Sequence, residues 1–463
     1  MFQQILSFND LFDFEQFLFS FFYYFFICLL ISLICALFGV SLGFRKLYVN
    51  LLLKIFEIDY TILLSNCIVN EFFIITKFGK QRIENELHNK QIKQVNSSTS
   101  IYNLDEIDDD SFLEEFIDSE EKVFHLDHVC HLITKGIKTI VDDEVTKRFD
   151  TEELPSWNLL TRTNKKYTHL SVRLTILWGL GCLIRYVLLC PARIIVTILS
   201  VLLLIICTAV IGCLPESQFK RTVYWHASLV CFRIMSRAFS GIITFHDRHN
   251  MAKPGGITVA NHTSPIDVAI LACDNCYALV GQKQGGFLGV LQSALTRASN
   301  HIWFDRFEIK DKRLVVERLR SYVNDPYNLP ILIFPEGTCI NNSAVMMFKK
   351  GSFEIASIVY PVAIKYDSRF GDPFWNSHKH GYMYYLMLMM TSWAIVCDVW
   401  YLPPMIKKSD ETAIQFANRV KAEIAKRGGL VDLQWDGQLK RLNVKEEWKE
   451  KEQEEFSKKI KVT

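Results

Sequence analysis

A histidine and an aspartate lie close together in the stretch "VANHTSPID". The preceding apolar residues are typical of a buried strand, and Ser264 with Pro265 is typical of a helix start, so the sequence predicts His262 at the carboxyl end of a strand. Asp267 would then bind one imidazole nitrogen from the first helical turn, which leaves the other nitrogen free to remove a proton from an alcohol. An alternative interpretation is that the two residues only cap the helix.

The stretch around this pair contains no evident nucleophile. Ser264 is close in sequence, but a serine at this position is better explained as the cap of the following helix. We therefore expect a bound substrate hydroxyl to attack directly, without a covalent acyl-enzyme.

Two further apolar stretches end in polar residues, "HIWFDR" and "ILIFPEGTCINN". The guanidinium of Arg306 matches the geometry of a phosphate, Gly337 lets backbone amides approach an anion, and Thr338 adds a hydroxyl donor. Glu336 would repel phosphate, so we expect it to bind a substrate hydroxyl or a cation. The alternative interpretations are a surface salt bridge for Arg306 and an ordinary turn for "PEGT".

Four lysines close to these motifs could add positive charge, or could be solvated surface charges. They are Lys283, Lys349, Lys350 and Lys365.

The composition favours a membrane-associated protein. The chain has 463 residues, 50% of them hydrophobic and 34 of them phenylalanine, and its formal net charge is only +2. So small a charge gives no indication of nucleic-acid binding, whereas a lipid bilayer or small anions remain possible partners. The 13 cysteines are scattered and lack paired zinc-type spacing, so we expect reduced thiols and no metal site.

Two apolar regions are long enough to cross a bilayer. Residues 17–44 carry no charge and are followed by basic residues, which predicts a membrane helix with the rest of the chain on the cytosolic side. Residues 174–214 are apolar but interrupted by Arg185, Pro191 and Arg193, which favours a membrane-embedded hairpin of two helices.

The sequence predicts five segments. Residues 1–79 would form a membrane anchor, 80–169 an acidic polar linker, 170–215 the helical hairpin, 216–435 a cytosolic α/β domain and 436–463 a charged tail. In the fourth segment, short runs rich in Val and Ile alternate with helix-length segments, which is typical of a mostly parallel sheet flanked by helices.

The ordered set "NHTSPID", "IWFDR", "FPEGTC" and "VYPVAI" resembles the four motif blocks of the glycerolipid acyltransferase family. From about residue 160 onward the chain is similar to the endoplasmic-reticulum glycerol-3-phosphate acyltransferase subfamily. Cys339 stands where most relatives that acylate lysophosphatidic acid have an arginine.

The resemblance implies a multi-pass protein of the endoplasmic-reticulum membrane that transfers a fatty acyl group from acyl-CoA to the sn-1 hydroxyl of glycerol 3-phosphate. Acyl-CoA would be a co-substrate, and no cofactor is implied. His262 would be the base and Asp267 its orienting partner. The residues implied to bind glycerol phosphate are Arg306, Glu336, Gly337 and Thr338.

Three other functions stay open at this point. The same chemistry could act on lysophosphatidic acid, although Cys339 argues against it. The chain could also be a catalytically silent membrane scaffold that binds lipid, or a hydrolase that uses the same pair on water.

Overall fold

The structure is a computed structural model that describes residues 8–40, 43, 45–56, 147–151, 172–304, 312–323, 325, 327–355 and 358–440. Nearly all of these residues belong to one compact unit, Met1–Lys54 with Glu144–Lys445. A second unit, Ile55–Asp143 with Glu446–Thr463, lies outside the described residues except for residues 55 and 56. The acidic stretch of the predicted linker is therefore not described.

Within the described ranges, ten strands form two sheets. They are β1 (Gly241–His246), β2 (Ile257–Ala260), β3 (Ala278–Gln282), β4 (Ile302–Phe304), β5 (Ile331–Ile333), β6 (Ala344–Val345), β7 (Ile358–Asp367), β8 (Ile395–Tyr401), β9 (Met405–Ile406) and β10 (Val431–Asp432). The large sheet has the order β1-β8-β7-β2-β5-β3-β4, with β9 beside β7, and β6 pairs with β10. Strands β7, β2, β5, β3 and β4 are parallel, whereas β8 is antiparallel to β7. The predicted, mostly parallel sheet is confirmed.

The described helices pack against the sheets and against one another. They are α1 (Phe8–Leu37), α2 (45–56), α3 (Val172–Leu183), α4 (Cys190–Gly212), α5 (Gln218–Ala238), α6 (Ile266–Leu271), α7 (Gly286–Ala298), α8 (Lys312–Val323), α9 (Gly351–Ile355), α10 (Tyr382–Thr391) and α11 (Ala413–Gly428). Leu271 of α6 and Leu386 of α10 pack in one core, and Phe416 of α11 packs in the other. Because β2 and β5 are buried on both faces, their sequences are continuously apolar.

The predicted hairpin of residues 170–215 is wrong. Helix α3, a π-helical segment (Ile184–Leu189) and α4 follow one another without a reversal of the chain. Pro191 lies in the first turn of α4, directly after the π segment, and the backbone stays helical through it. Within the described residues, Thr175–Gly212 is the candidate membrane span, by length and composition.

Two arginines attach this long helix to the α/β part of the chain. Arg193 donates to the carbonyl oxygens of Met390 at 2.7 Å and Trp393 at 2.7 Å, and Arg185 donates to that of Thr391 at 3.1 Å. Both arginines are buried at 4% exposure. The carboxyl end of a helix has unpaired carbonyl groups and a partial negative charge, which favour a nearby cation. The two guanidinium groups therefore bind the end of α10, and they do not mark a break in the helix as the sequence suggested.

The N-terminal helix differs in extent from the predicted span of residues 17–44. Helix α1 ends at Leu37, and Gly39 adopts φ +65° before α2 begins at residue 45. Ala36 of α1 packs in a small core with Val196 of α4 and Ala238 of α5. Whether α1 crosses a bilayer stays a prediction.

Candidate active site

The loop between β2 and α6 places His262 beside Asp267. Nδ1 of His262 lies 2.8 Å from Oδ2 of Asp267, and the aspartate is completely buried. The His262 side chain is 17% exposed, and its ring stacks on Phe334 with 4.2 Å between centroids. One nitrogen is therefore held by a carboxylate while the ring keeps an exposed edge.

Asp267, not Ser264, closes the turn at the start of α6. Its Oδ2 accepts hydrogen bonds from the backbone N–H groups of Thr263 at 2.7 Å and Ser264 at 2.9 Å, and Oδ1 accepts one from the hydroxyl of Tyr366. Pro265, the residue before α6, makes no side-chain cap. The N–H groups of Thr263 and Ser264 precede the helix, so Asp267 fixes the backbone of the histidine loop with the same carboxylate that binds the imidazole.

The surroundings of His262 favour its protonated form. Burial alone would lower the pKa of the ring, but Cys339 and the Asp267 carboxylate outweigh burial and raise the pKa well above its usual value. The base form therefore becomes more abundant as the pH rises.

Glu336 binds the backbone of the histidine loop. Oε1 accepts a hydrogen bond from the backbone N–H of His262 at 2.8 Å, and Oε2 accepts one from that of Met346 at 3.0 Å. The residue is completely buried, and burial raises its pKa to about 8. Both oxygens bind backbone, so Glu336 holds the histidine loop to the strand of Met346, and its predicted contact with substrate stays a prediction.

The turn after β5 presents a small exposed surface next to the histidine. Gly337 is exposed with φ +68°, and a Cβ there would lie 2.8 Å from Nζ of Lys349. Thr338 is partly buried. A glycine is required at such a backbone conformation, and the turn brings the Lys349 ammonium to the position where the sequence predicted anion binding.

The remaining basic residues that the sequence suggested as anion ligands differ in their surroundings. Lys365 donates to the carbonyl oxygen of Asn342 at 2.7 Å, and Lys350 pairs with Glu354 at 2.8 Å. Lys283 lies in the loop after β3. Arg306 lies outside the described residues, so its predicted role stays a prediction.

Cys339 is the contact that the sequence did not lead us to expect. Its Sγ lies 3.4 Å from Nε2 of His262, the nitrogen opposite Asp267. Lys440, in a 3₁₀ turn (Gly437–Lys440) of the predicted tail, is buried and donates to the carbonyl oxygen of Cys339 at 2.8 Å. From the sequence alone, the one indication of this contact was that a cysteine directly follows "PEGT". The contact itself depends on β5, which precedes this motif, being the neighbour of β2, which precedes His262.

A polar network ties the histidine loop to β7. The Asn342 side chain donates to Thr263 Oγ1 at 2.9 Å and accepts from the backbone N–H of Tyr366 at 2.8 Å. Asn341 donates to the carbonyl oxygen of Lys147 at 2.7 Å, so a described part of the predicted linker of residues 80–169 contacts this network. Among the described residues, no group of three or more His, Cys, Asp or Glu could hold a metal ion.

The fold and this site define an acyltransferase. The family model described as Acyltransferase matches residues 242–365, which include the histidine loop and the "PEGT" turn. The Homo sapiens protein "Glycerol-3-phosphate acyltransferase 4" is 52% identical over 93% of this chain and 92% of its own length. The Homo sapiens "Glycerol-3-phosphate acyltransferase 3" is 47% identical over 92% of this chain and 93% of its own length.

The chain therefore belongs to the family of glycerol-3-phosphate acyltransferases 3 and 4. A Danio rerio "Glycerol-3-phosphate acyltransferase 3" is 48% identical over 91% of both chains. Among solved structures, the 1-acyl-sn-glycerophosphate acyltransferase of Thermotoga maritima matches 54% of this chain and 95% of its own, with 16% identity and a TM-score of 0.35.

Proposed function

We propose that this protein transfers a fatty acyl group from acyl-CoA to the sn-1 hydroxyl of glycerol 3-phosphate and releases CoA and lysophosphatidic acid. The observation that carries the proposal is the 2.8 Å contact between His262 and Asp267, in a chain 52% identical to human glycerol-3-phosphate acyltransferase 4. A neutral imidazole oriented by a carboxylate is suited to removing a proton from an alcohol.

The groups around the pair suggest a division of labour. His262 takes the proton through Nε2, while Asp267 holds the ring through Nδ1. The Gly337 backbone, Thr338 and the adjacent Lys349 ammonium would bind the phosphate of the acceptor together with Arg306. Glu336 fixes the peptide of His262.

The long apolar helix suits an acyl substrate. Burying one methylene away from water contributes about 0.8 kcal/mol of favourable free energy. A site attached to a bilayer therefore avoids most of the free energy needed to expose the acyl chain to water. Exposed apolar side chains on α4, such as Leu199, Leu202 and Ile206, provide a lipid-facing surface. We place the protein in the endoplasmic-reticulum membrane as a multi-pass protein with a cytosolic catalytic domain, on the basis of the resemblance and of Arg45 and Lys46 after α1.

The test uses the purified full chain in detergent micelles with oleoyl-CoA. Wild type, His262→Ala and a control, His246→Ala, receive glycerol 3-phosphate, lysophosphatidic acid or no acceptor. His246 is a suitable control because its Nε2 also lies 2.8 Å from an aspartate, Asp398. It stands at the carboxyl end of β1, which runs antiparallel to β2, so it lies at the opposite edge of the sheet from His262. A thiol reagent follows free CoA, and mass spectrometry identifies the product.

We expect CoA release that requires glycerol 3-phosphate, yields lysophosphatidic acid, is lost in His262→Ala and persists in His246→Ala. Release with lysophosphatidic acid only would change the acceptor. Release without acceptor, with free fatty acid as product, would indicate a hydrolase. The absence of His262-dependent release in all three arms would overturn the enzyme assignment and favour a scaffold.

A further inference from the structure

Three arginines lie together where the N-terminal helices meet α5. Arg233 and Arg237 are one turn apart near the carboxyl end of α5, and Arg45 is the first residue of α2. Nη1 of Arg45 donates to the carbonyl oxygen of Gly241, at the start of β1, at 3.1 Å. The Arg233 guanidinium lies against Gly39, where a Cβ would be 2.8 Å from Nη1. These contacts bring Arg45 to the end of α5, beside the face that carries the other two arginines.

The three guanidinium groups have few hydrogen-bond acceptors. The side chain of Arg237 donates no hydrogen bond to a described residue, and its Nε is buried without a partner. Arg233 donates only from Nε, to the carbonyl oxygen of Cys273 at 2.9 Å, and Arg45 donates only from Nη1. Since each guanidinium carries five N–H donors, most of the donors in this cluster are available to a ligand.

Among the described residues, no carboxylate forms an ion pair with this cluster. Asp274 lies within electrostatic reach of Arg233, yet it pairs with Arg248 at 2.9 Å. Burial, and then the positive charge of Arg45, lower the pKa of Arg237 to about 10, so its guanidinium stays protonated at neutral pH. Three like charges are thus held together in partly buried positions, which is unfavourable unless an anion joins them.

Arg193, by contrast, is a buried arginine whose hydrogen bonds are complete. Nε and Nη2 donate to Oγ of Ser240, and the two Nη atoms also donate to carbonyl oxygens at and after the end of α10. Buried polar groups are ordinarily satisfied in this way. The lack of such partners for Arg237 in the described part of the chain therefore indicates a ligand site more than a structural contact.

The cluster lies beside the candidate membrane span. Arg193 of α4 binds Ser240, the residue before Gly241. Because β1 runs antiparallel to β2, Gly241 at its amino end is at the edge of the sheet where β2 ends and His262 follows. The arginines are therefore found where the α/β part of the chain meets the long apolar helix.

Exposed apolar side chains flank the arginines. Phe38 is 75% exposed and precedes Gly39, and Leu47 is 66% exposed two residues after Arg45. Val40 is exposed as well. A guanidinium cluster matches the oxygens of a phosphate, and an apolar rim matches hydrocarbon. The two together fit a lipid with an anionic headgroup better than a free phosphate ester.

We propose that Arg45, Arg233 and Arg237 form a binding site for the phosphate headgroup of an anionic phospholipid. The acyl chains of that lipid would cover the exposed side chains beside the cluster. This inference goes beyond the proposed acyl transfer and does not depend on it, because the cluster contains none of the residues of the candidate active site and its test measures binding.

Binding is measured on the full chain in detergent micelles. The protein is titrated with dioleoyl phosphatidic acid or with dioleoyl phosphatidylcholine, and native mass spectrometry counts the lipid molecules that stay bound. We expect saturable binding of phosphatidic acid and weaker binding of phosphatidylcholine, whose headgroup also carries a cation. Equal affinity for the two lipids would overturn the inference.

A competition separates the two sources of a phosphate group. Glycerol 3-phosphate carries the phosphate without acyl chains, so at the concentration of the lipid it should not displace phosphatidic acid. Displacement at equal concentration would assign the cluster to a free phosphate ester and overturn the lipid assignment.

Single variants connect the binding to the cluster. Arg237→Gln and Arg45→Gln should each weaken the binding of phosphatidic acid about fivefold, as expected for one cation at an anionic headgroup. Arg221→Gln is the matched control and should bind like the wild type. Arg221 is exposed near the other end of α5, 4.9 Å from the centroid of the Tyr327 ring. Equal weakening in all three variants would reflect net charge alone and would contradict the site.

Thermal unfolding distinguishes a ligand site from a structural contact. Arg237→Gln loses no hydrogen bond to a described residue and relieves the repulsion of two like charges, so without added lipid its Tm should equal or exceed that of the wild type. Phosphatidic acid should raise the Tm of the wild type more than that of the variant. A lower Tm of the lipid-free variant, with an equal rise on adding lipid, would show that Arg237 has a structural role and would overturn the inference.

Discussion

Tyr366 donates a hydrogen bond from its hydroxyl to Oδ1 of Asp267, while Oδ2 of the same carboxylate binds His262. The tyrosine comes from the carboxyl end of β7 and the aspartate from the first turn of α6, and both are buried. β7 is the parallel neighbour of β2. The orientation of the base therefore depends on a strand whose residues are distant in sequence.

This contact predicts that Tyr366→Phe lowers kcat/KM by about tenfold without unfolding the protein. The phenyl ring still fills the site, but one of the hydrogen bonds that orient Asp267 is lost. Tyr360→Phe, at the opposite end of β7, is the matched control and should keep wild-type activity. Steady-state rates with both substrates and a thermal unfolding scan check the prediction, and equal rates for the two variants would contradict it.

The raised pKa of His262 predicts an acid limb in the pH profile. The ring acts as a base only when neutral, so kcat/KM should rise with pH through the raised pKa and then level off. In Asp267→Asn the charge that contributes to this shift is removed, so the acid limb should move to lower pH while the plateau falls by roughly 10²- to 10⁴-fold. Rates measured across the pH range of stability test both statements, and an acid limb that stays in place in the variant would contradict them.

The sequence was sufficient for the general architecture and for the His262 and Asp267 pair. Continuous apolar runs such as "ITVA" and "ILIF" predict strands buried on both faces, and polar residues at their carboxyl ends meet at one edge of a parallel sheet. Both signals are local in sequence. That is why periodicity and turn residues were enough to find them.

The sequence was insufficient where contacts join distant segments. Cys339 and Tyr366 meet the histidine loop only through the order of the strands, which the residue types do not specify. Lys440 reaches the site from a distant 3₁₀ turn, where it binds the carbonyl oxygen of Cys339. The predicted hairpin failed for a related reason, since Arg185 and Arg193 were interpreted as breaks in a helix. Their true partners are carbonyl groups about the end of α10, far along the chain.

The burial of Glu336 predicts a stability that depends on pH. Its folded pKa of about 8 lies above the ordinary value of 4.5, so the folded state binds a proton more tightly than the unfolded one. Stability should therefore fall as the pH rises from about 4.5 to about 8 and change little beyond, as far as this group is concerned. Thermal unfolding of the wild type in micelles near both limits measures the change.

A Glu336→Gln variant isolates this contribution. Its amide cannot ionise, so the fall of Tm with pH should become shallower, although His262 keeps a contribution of the same sign. Its –NH₂ group would face a backbone N–H donor, of His262 or Met346, and leaving such a buried group unpaired costs about 1–3 kcal/mol. The variant should thus have a lower Tm at acidic pH than the wild type. An unchanged slope would contradict the assignment of the pH dependence to Glu336.

Lys349 offers the sharpest test of acceptor binding among the described residues. Its ammonium lies against Gly337, at the exposed turn beside His262, where a phosphate would meet both a cation and backbone amides. Lys349→Ala should raise KM for glycerol 3-phosphate about tenfold and change kcat by less than about threefold, because the lost contact holds substrate and transition state alike. KM for oleoyl-CoA should stay near the wild-type value.

The neighbouring Lys350 provides the control for this prediction. It carries the same charge but pairs with Glu354 at 2.8 Å, so Lys350→Ala should leave KM for glycerol 3-phosphate unchanged. The two alanine variants have the same net charge, and any effect of overall electrostatics is therefore common to both. An equal rise of KM in both variants would mean that the turn at Gly337 does not bind the phosphate, and the binding of the acceptor would then rest on Arg306 and residues outside this turn.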